Sequence, residues 1–304
     1  MSDGPAIGID LGGTKIHAGV IAPDGEVLGE ARLPTEASKD AEVILHNIAS
    51  AARGAADEAG LSVAEAVGVG VGSPAPLDIF RGIILSPGNL PTLHGFPLVD
   101  RLSQELEKPV ALNNDANCFG LGEARFGAGA GAEVCCGFTL GTGLGSFLVI
   151  GGELFNGPRG AGAEIWCSPY MGDQVEEKVS GRGVARNYKK LTERVHTAKE
   201  IAELARRGDQ DAQEAWREFG RDLAVPLAYM CNIADPDVVV LGGSMSKAWD
   251  LFREPLLAEG LKYTNAVTRD AVRIVPSELV DSAGMLGAAA LVLGSATRRE
   301  ISSD

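Results

Sequence analysis

At 304 residues the chain has room for one large or two medium domains, and 45% hydrophobic with 22% charged residues is the balance of a soluble globular protein. A net charge of −14 argues against nucleic acid as a partner, because phosphate would be repelled. No apolar run approaches the ~20 residues that span a bilayer, no signal peptide is legible, and five cysteines without C-x-x-C spacing predict a reduced, cytoplasmic chain.

The stretch Ile7-Gly8-Ile9-Asp10-Leu11-Gly12-Gly13-Thr14-Lys15-Ile16 brings a carboxylate to the end of an apolar run, then two glycines, a hydroxyl and an ammonium. That order predicts strand, tight turn, strand. Asp10 is a candidate Mg²⁺ ligand, directly or through water. The amides of Gly12 and Gly13 are candidates to cradle phosphate, and Thr14 and Lys15 to donate to its oxygens. An ordinary hairpin with a charged tip is the plainer alternative. Gly-Lys-Ser/Thr is lacking, so this is not the P-loop of strand–loop–helix NTPases.

Alternation then predicts a strand over 26–33 and helical spacing a helix over 40–60. A buried strand follows at 66–71, a short extended piece at 83–85, a loop over 86–96, a helix over 97–107 and a strand over 109–112. Asn113-Asn114-Asp115-Ala116-Asn117 closes that strand and opens a small-residue helix through Arg125. Polar side chains at the carboxyl end of a strand are where ligands sit in open α/β sheets, with helix capping as the alternative for any one of them. The run 127–131 is glycine-rich and predicts a joint. It does not follow a strand, which sets it apart from a dinucleotide fingerprint.

The pattern then restarts about 130 residues on. A strand over 134–140, the turn Gly141-Thr142-Gly143-Leu144-Gly145 and a strand over 146–150 repeat the opening unit. After a glycine-rich loop over 156–163, helices are expected over 182–191, 198–207 and 211–233. A strand over 237–241 ends in Gly242-Gly243-Ser244, and a helix over 249–259, an extended 272–275 and an alanine-rich helix over 284–294 complete the chain. Three glycine turns, each after an apolar strand, suit a nucleotide triphosphate.

In order and spacing, Asp10–Lys15, Asn114–Asn117, Gly141–Gly145 and Leu241–Ser244 resemble the ROK family (repressor, open reading frame, kinase) of the actin and hexokinase superfamily. Residues 283–289 resemble that family's final helix, and the start of the first strand five residues into the chain points to the sugar-kinase branch. The resemblance implies an α/β fold of two actin-like (ribonuclease-H-like) lobes, each with a mixed sheet, and a cleft between them. The lobes are expected at 1–117 and 118–283, with a C-terminal helix, 284–304, returning to the first. It also implies ATP- and Mg²⁺-dependent phosphorylation of a hexose in a homodimer, with glucose the first expectation. Fructose, mannose or an N-acetylated hexosamine as acceptor, and polyphosphate as donor, stay open.

Within that resemblance Asp115 is the catalytic base, a role its place between two asparagines also suits. Asn89, Asn114, Glu164 and Glu176 correspond to sugar-binding positions, and His94 lies in the same loop as Asn89. Asp10, Gly12, Gly13, Thr14, Lys15, Gly141, Thr142, Gly143, Gly242, Gly243 and Ser244 correspond to the nucleotide and metal positions. A sugar-sensing protein that had lost catalysis would tolerate loss of Asp10 or Asp115, and both are present.

Three departures stand out. Ile165-Trp166-Cys167 replaces the family's Ile-Gly-His, the cysteine-rich zinc loop between Glu164 and Glu176 is reduced to Cys167, and Pro74-Ala75-Pro76 replaces Pro-Gly-Pro. One thiol cannot complete a tetrahedral site, so no zinc is expected. Trp166, Pro169, Tyr170 and Met171 are expected to hold the loop as an apolar plug.

Overall fold

Five of the six residues of β1 (Ala6–Leu11) are buried, and the exception is Asp10. An apolar strand of this kind belongs inside a sheet covered on both faces. The computed structural model describes residues 4–294. It pairs β1 antiparallel with β2 (Lys15–Ile21), and β2 antiparallel with β3 (Val27–Pro34). The chain continues through α1 (Ala41–Glu58) to β4 (Val69–Ser73), the small hairpin β5 (Leu77–Asp78) and β6 (Ile83–Ile84), α2 (Leu98–Leu106), β7 (Val110–Asn114) and α3 (Asp115–Phe126). β4 lies parallel to β1 and β7 parallel to β4, giving the five-stranded order β3-β2-β1-β4-β7.

The second sheet repeats this order with β8 (Val134–Leu140), β9 (Leu144–Ile150) and β10 (Glu153–Leu154). A second hairpin follows, β11 (Pro169–Tyr170) and β12 (Asp173–Gln174), and then the helices α4 (Val175–Lys178), α5 (Gly181–Thr192), α6 (Ala198–Arg206) and α7 (Gln210–Ala234). Next come β13 (Val238–Gly242), α8 (Trp249–Lys262), α9 (Ala266–Ala271), β14 (Arg273–Pro276) and α10 (Ala283–Ala290). The strand order is β10-β9-β8-β13-β14, with β13 parallel to both β8 and β14. The expected α/β class with a mixed sheet in each half is what the chain forms, and the restart of the pattern at residue 134 is a restart of topology.

The chain divides into two compact units. One runs to Gly131, takes in Val149–Gly162 and resumes at Asp281; the other comprises Ala132–Leu148 and Ala163–Val280. In the first, α10 lies directly on the sheet. A methyl group at Gly8 would run into the carbonyl of Met285, one at Gly70 into that of Ala288, and one at Gly287 into that of Cys118 in α3. The alanine- and glycine-rich sequence of α10 is therefore a requirement of close packing, since interiors at this density leave no room for a larger group. In the second unit, Trp216 of α7 stacks on Phe252 of α8 at 6.0 Å, and Phe219 meets both edge-on.

Most predicted elements differ from the observed ones only at their ends. β4 begins three residues late because Val63–Glu65 forms a 3-10 turn under a Ser62–Glu65 capping box. α9, α4 and the β11–β12 hairpin carry no periodicity of their own and were not expected. Residues 295–304 of the expected final segment lie outside the described residues.

Candidate functional site

In the first unit the polar residues gather at the carboxyl ends of parallel strands. Register places Asp10 of β1 opposite Gly72 of β4, and Gly72 opposite Asn113 of β7. Asp115 follows at once: a methyl at Gly72 would stand 3.1 Å from Cys118 Sγ and 3.8 Å from Asp115 Cα. Burial pushes the Asp10 carboxyl above the ordinary carboxylate range, against the pull of His17 and Lys15. The buried Cys118 thiol is pushed well up, by burial first and then by the charges of Asp10 and Asp115. Both acids thus lie close enough to the Cys118 thiol to disfavour its ionisation.

The β1–β2 turn is closed by the Gly12 N–H donating to the Lys15 carbonyl at 3.0 Å. Thr35 braces it, its hydroxyl donating to the Gly12 carbonyl at 2.6 Å. The Gly12 amide is thereby engaged, while Thr14 and Lys15 are exposed at the tip. Gly13 needs its missing side chain, since a methyl there would lie 3.0 Å from Asn89 Cβ. The loop bearing Asn89 therefore sits on the glycine turn; His94, in the same loop, is exposed.

Asn114 caps α3, its Oδ1 accepting from the Ala116 N–H at 2.9 Å and the Asn117 N–H at 3.4 Å. Asp115 Oδ1 accepts from the Ala116 N–H at 2.8 Å. A carboxylate there is favoured by the positive end of the helix dipole. The expected capping alternative thus holds for Asn114, and its amide nitrogen is what remains for a ligand.

In the second unit the Gly141–Gly145 turn is closed by the Gly141 N–H on the Gly143 carbonyl at 3.0 Å, and the N-terminus of α5 joins it through the Gly181 N–H on Gly141 O at 2.9 Å. Gly243 adopts φ +80° and lies against the backbone of Leu140, where only glycine fits without strain. This close approach brings Ser244 beside Gly141. Next to these turns a cavity of about 480 Å³ is lined by Gly141, Thr142, Arg182, His196, Lys199 and Ser244, among others. The sequence reading did not assign Arg182 or residues 195–200. The signal was the Thr197–Glu200 capping box, whose Glu200 carboxylate accepts from the Thr197 N–H at 2.7 Å and starts α6 at the cavity.

Glu176 and Glu164 have different surroundings. Glu176 Oε2 accepts from the Leu144 N–H at 2.9 Å and Oε1 pairs with Arg182 at 2.8 Å, so this carboxylate is tied to the glycine turn. Glu164 is half-buried and its pKa is raised, mainly by burial, with a hydrogen bond from the Trp166 side chain acting the other way. The buried Ser146 hydroxyl donates to Ala163 O at 2.5 Å and accepts from the Ile165 N–H at 3.2 Å, fixing the backbone on either side of Glu164.

The loop between them is not held by a four-residue plug. Pro169 is exposed and Met171 is 75% exposed, so of the four only Trp166 and Tyr170 pack on the core of the unit, joined there by Ile165 and Val175 of the same loop. Polar bonds complete the fastening: Tyr170 donates to Asp222 Oδ1 at 3.0 Å, and Arg186 pairs with Asp173 and donates to the Glu177 carbonyl. Among the described residues no group of three or more His, Cys, Asp or Glu side chains is placed to hold a metal ion. No helix among them is long and apolar enough to cross a membrane.

A sequence model of the ROK family matches residues 6–295. The chain is 32% identical over 310 residues to a glucokinase of Thermotoga maritima, covering 94% of this chain and 96% of that protein. It is 31% identical to an N-acetyl-D-glucosamine kinase of Salmonella paratyphi B, covering 94% and 98%. The crystal structure of a ROK family glucokinase from Streptomyces griseus, in complex with glucose and AMPPNP, is similar at a TM-score of 0.79 and 30% identity, over 95% of this chain and 99% of that one. With the family pattern matched over nearly its whole length and relatives aligned end to end, the chain belongs to the ROK family.

Proposed function

We propose that the protein is an ATP-dependent hexose kinase that phosphorylates glucose, with Asp115 as its catalytic base. The observation that carries the reading is the meeting of Asp10, Asn114 and Asp115 at one carboxyl sheet edge, beside the Gly12–Lys15 turn. Phosphoryl transfer needs alignment and charge stabilisation more than covalent help. Asp115 takes the proton from the attacking sugar hydroxyl as transfer proceeds. Asn89, the free amide nitrogen of Asn114, Glu164 and Glu176 hold the other hydroxyls; each Glu176 oxygen keeps a second lone pair beside the bond it already accepts. Gly141–Gly143, Gly242–Ser244 and the cavity beside them take ATP, with Arg182 and Lys199 supplying positive charge.

Asp10 suits Mg²⁺. Its carboxyl is desolvated, which a cation relieves, and Mg²⁺ is ordinarily held by one or two carboxylates, water and substrate phosphates rather than by a protein cage. Bound there, Mg²⁺ supplies charge neutralisation to the phosphates. Gly13, Thr14 and Lys15 present the remaining polar groups of that turn. We extend the reading to a cytoplasmic homodimer, which size-exclusion chromatography with light scattering tests.

The deciding experiment couples ADP release to an optical readout across glucose, fructose, mannose and N-acetylglucosamine, with ATP or polyphosphate as donor. Glucose- and ATP-dependent turnover is expected. N-acetylglucosamine as the preferred acceptor would replace glucose in the reading, and no turnover with any hexose would overturn it in favour of a sugar-binding protein.

A further inference from the structure

Asn113 stands at the carboxyl end of β7, one residue before the Asn114–Asp115 pair, and is 3% exposed. Its Oδ1 accepts from the Asn114 N–H at 2.8 Å and from Asn117 Nδ2 at 3.0 Å. Its Nδ2 donates to Asn156 Oδ1 at 2.9 Å, across 43 residues of sequence. A buried amide whose donor and acceptor sides are both engaged has one orientation available, because turning it would leave both sides mismatched.

Asn156 is in turn the root of a closed loop. Its N–H donates to the Leu154 carbonyl at 3.1 Å, and its own carbonyl accepts from the Gly162 N–H at 2.9 Å. Within the loop Gly160 lies on Ile79, where a methyl would stand 2.8 Å from the side chain. The chain leaves this loop at Gly162 and reaches Glu164 two residues later. One amide–amide bond therefore joins the turn bearing Asn114 and Asp115 to the segment that leads into Glu164.

We propose that Asn113 and Asn156 are positioning residues, whose hydrogen bond fixes the loop 156–162 against the β7–α3 turn and so sets the placement of Asp115 relative to the chain leading into Glu164. The proposal rests on the reading of Asp115 as base and Glu164 as a sugar ligand. Neither asparagine touches the reacting atoms; each acts through the residues it holds.

The test uses the full chain in a double-mutant cycle of Asn113→Ala and Asn156→Ala, with Asn156→Asp as the conservative variant. Asn156→Ala should lower kcat/KM for the hexose about tenfold, through both KM and kcat, while KM for ATP stays within about twofold. The double variant should be no worse than Asn113→Ala alone. Asn156→Asp keeps the acceptor for Asn113 Nδ2 and should recover most of the loss. Hydrogen exchange of the 156–162 amides should speed up in Asn156→Ala and not in Asn156→Asp. Losses that multiply in the double variant, or an unchanged hexose kcat/KM in a folded Asn156→Ala, overturn the proposal. If the wild-type chain phosphorylates no hexose, it is the proposed function that has failed. The exchange measurement then decides the fastening alone, and unchanged protection in Asn156→Ala refutes it.

Discussion

Removing one hydroxyl tests how the loop between Glu164 and Glu176 is held. Tyr170 donates to Asp222 Oδ1 at 3.0 Å, and Asp222 is 8% exposed. Burial raises the Asp222 pKa, and the Tyr170 hydrogen bond acts against that rise. The Tyr170 hydroxyl is itself pushed far up, by burial and then by Asp222, so it remains a donor at any working pH. Tyr170→Phe deletes a hydrogen bond to a charged group and leaves a buried carboxylate with one donor fewer, a loss of about 2 kcal/mol. For a unit of this size that corresponds to a fall in Tm of ~4–8 °C. Asp222→Asn keeps an acceptor for the hydroxyl and removes a desolvated charge, so it should cost less than ~1 kcal/mol. The sign of the pH effect follows. A carboxyl whose folded pKa is raised contributes most to stability below the ordinary carboxylate range, and the contribution falls as pH rises through the raised value. Asp222→Asn should therefore flatten the decline of Tm above that range. Scanning calorimetry of the two variants from acid to neutral pH checks the ranking. A Tyr170→Phe transition within about 1 °C of wild type, or a larger loss in Asp222→Asn, would refute the fastening.

Asp115→Asn should keep the fold and hexose affinity by calorimetry while cutting kcat by at least the ~10²-fold typical of a lost general base, and near-normal turnover would remove Asp115 from that role. Asp10→Asn should abolish Mg²⁺-dependent turnover. Because the folded Asp10 pKa is raised, its contribution to stability declines as pH rises above the ordinary carboxylate range, so with chelator present at pH 7 this variant should melt no lower than wild type. A clearly lowered Tm would show that the ionised carboxylate stabilises the fold. Protein purified without chelator should carry well under one zinc per chain by elemental analysis, and about one zinc would sink the assignment of the loop to Tyr170 and Arg186.

Much of the fold is legible because its central strands are buried on both faces, which leaves apolar runs such as Ala6–Ile9 and Val238–Gly242 in the sequence. The glycine turns are legible for the opposite reason: Gly243 at φ +80° against Leu140 admits no other residue. The cap that Asn114 forms, the plainer alternative to a sugar-binding role, is legible because capping is local. What stays hidden is what joins distant residues. Asn113 with Asn156 and Tyr170 with Asp222 are side-chain pairs, and Glu176 accepts from the Leu144 backbone N–H; all three span many residues, and no periodicity records them. The cavity beside Gly141 stays hidden likewise, since part of its wall is the run 195–200, which reads as an ordinary helix start.

The two sheets share a strand order but carry different chemistry at equivalent edges. At the first, Asp10 and Asp115 present carboxylates next to the turn, and Lys15 is the cation in that turn. At the second, the turns Gly141–Gly145 and Gly242–Ser244 contain no charged residue of their own, but the Glu176 carboxylate accepts from the Leu144 N–H and pairs with Arg182, and Lys199 and Glu200 both line the cavity. In a chain of net charge −14, a nucleotide's phosphates depend on backbone amides and on cations such as Lys199 to offset the neighbouring carboxylates. On the proposed reading the first edge takes phosphate alongside a divalent cation, which its desolvated carboxylate favours. Under the proposed function the two edges divide the work: the second unit's turns take the nucleotide with Lys199 and Arg182, and the first unit's edge holds the metal and the proton acceptor.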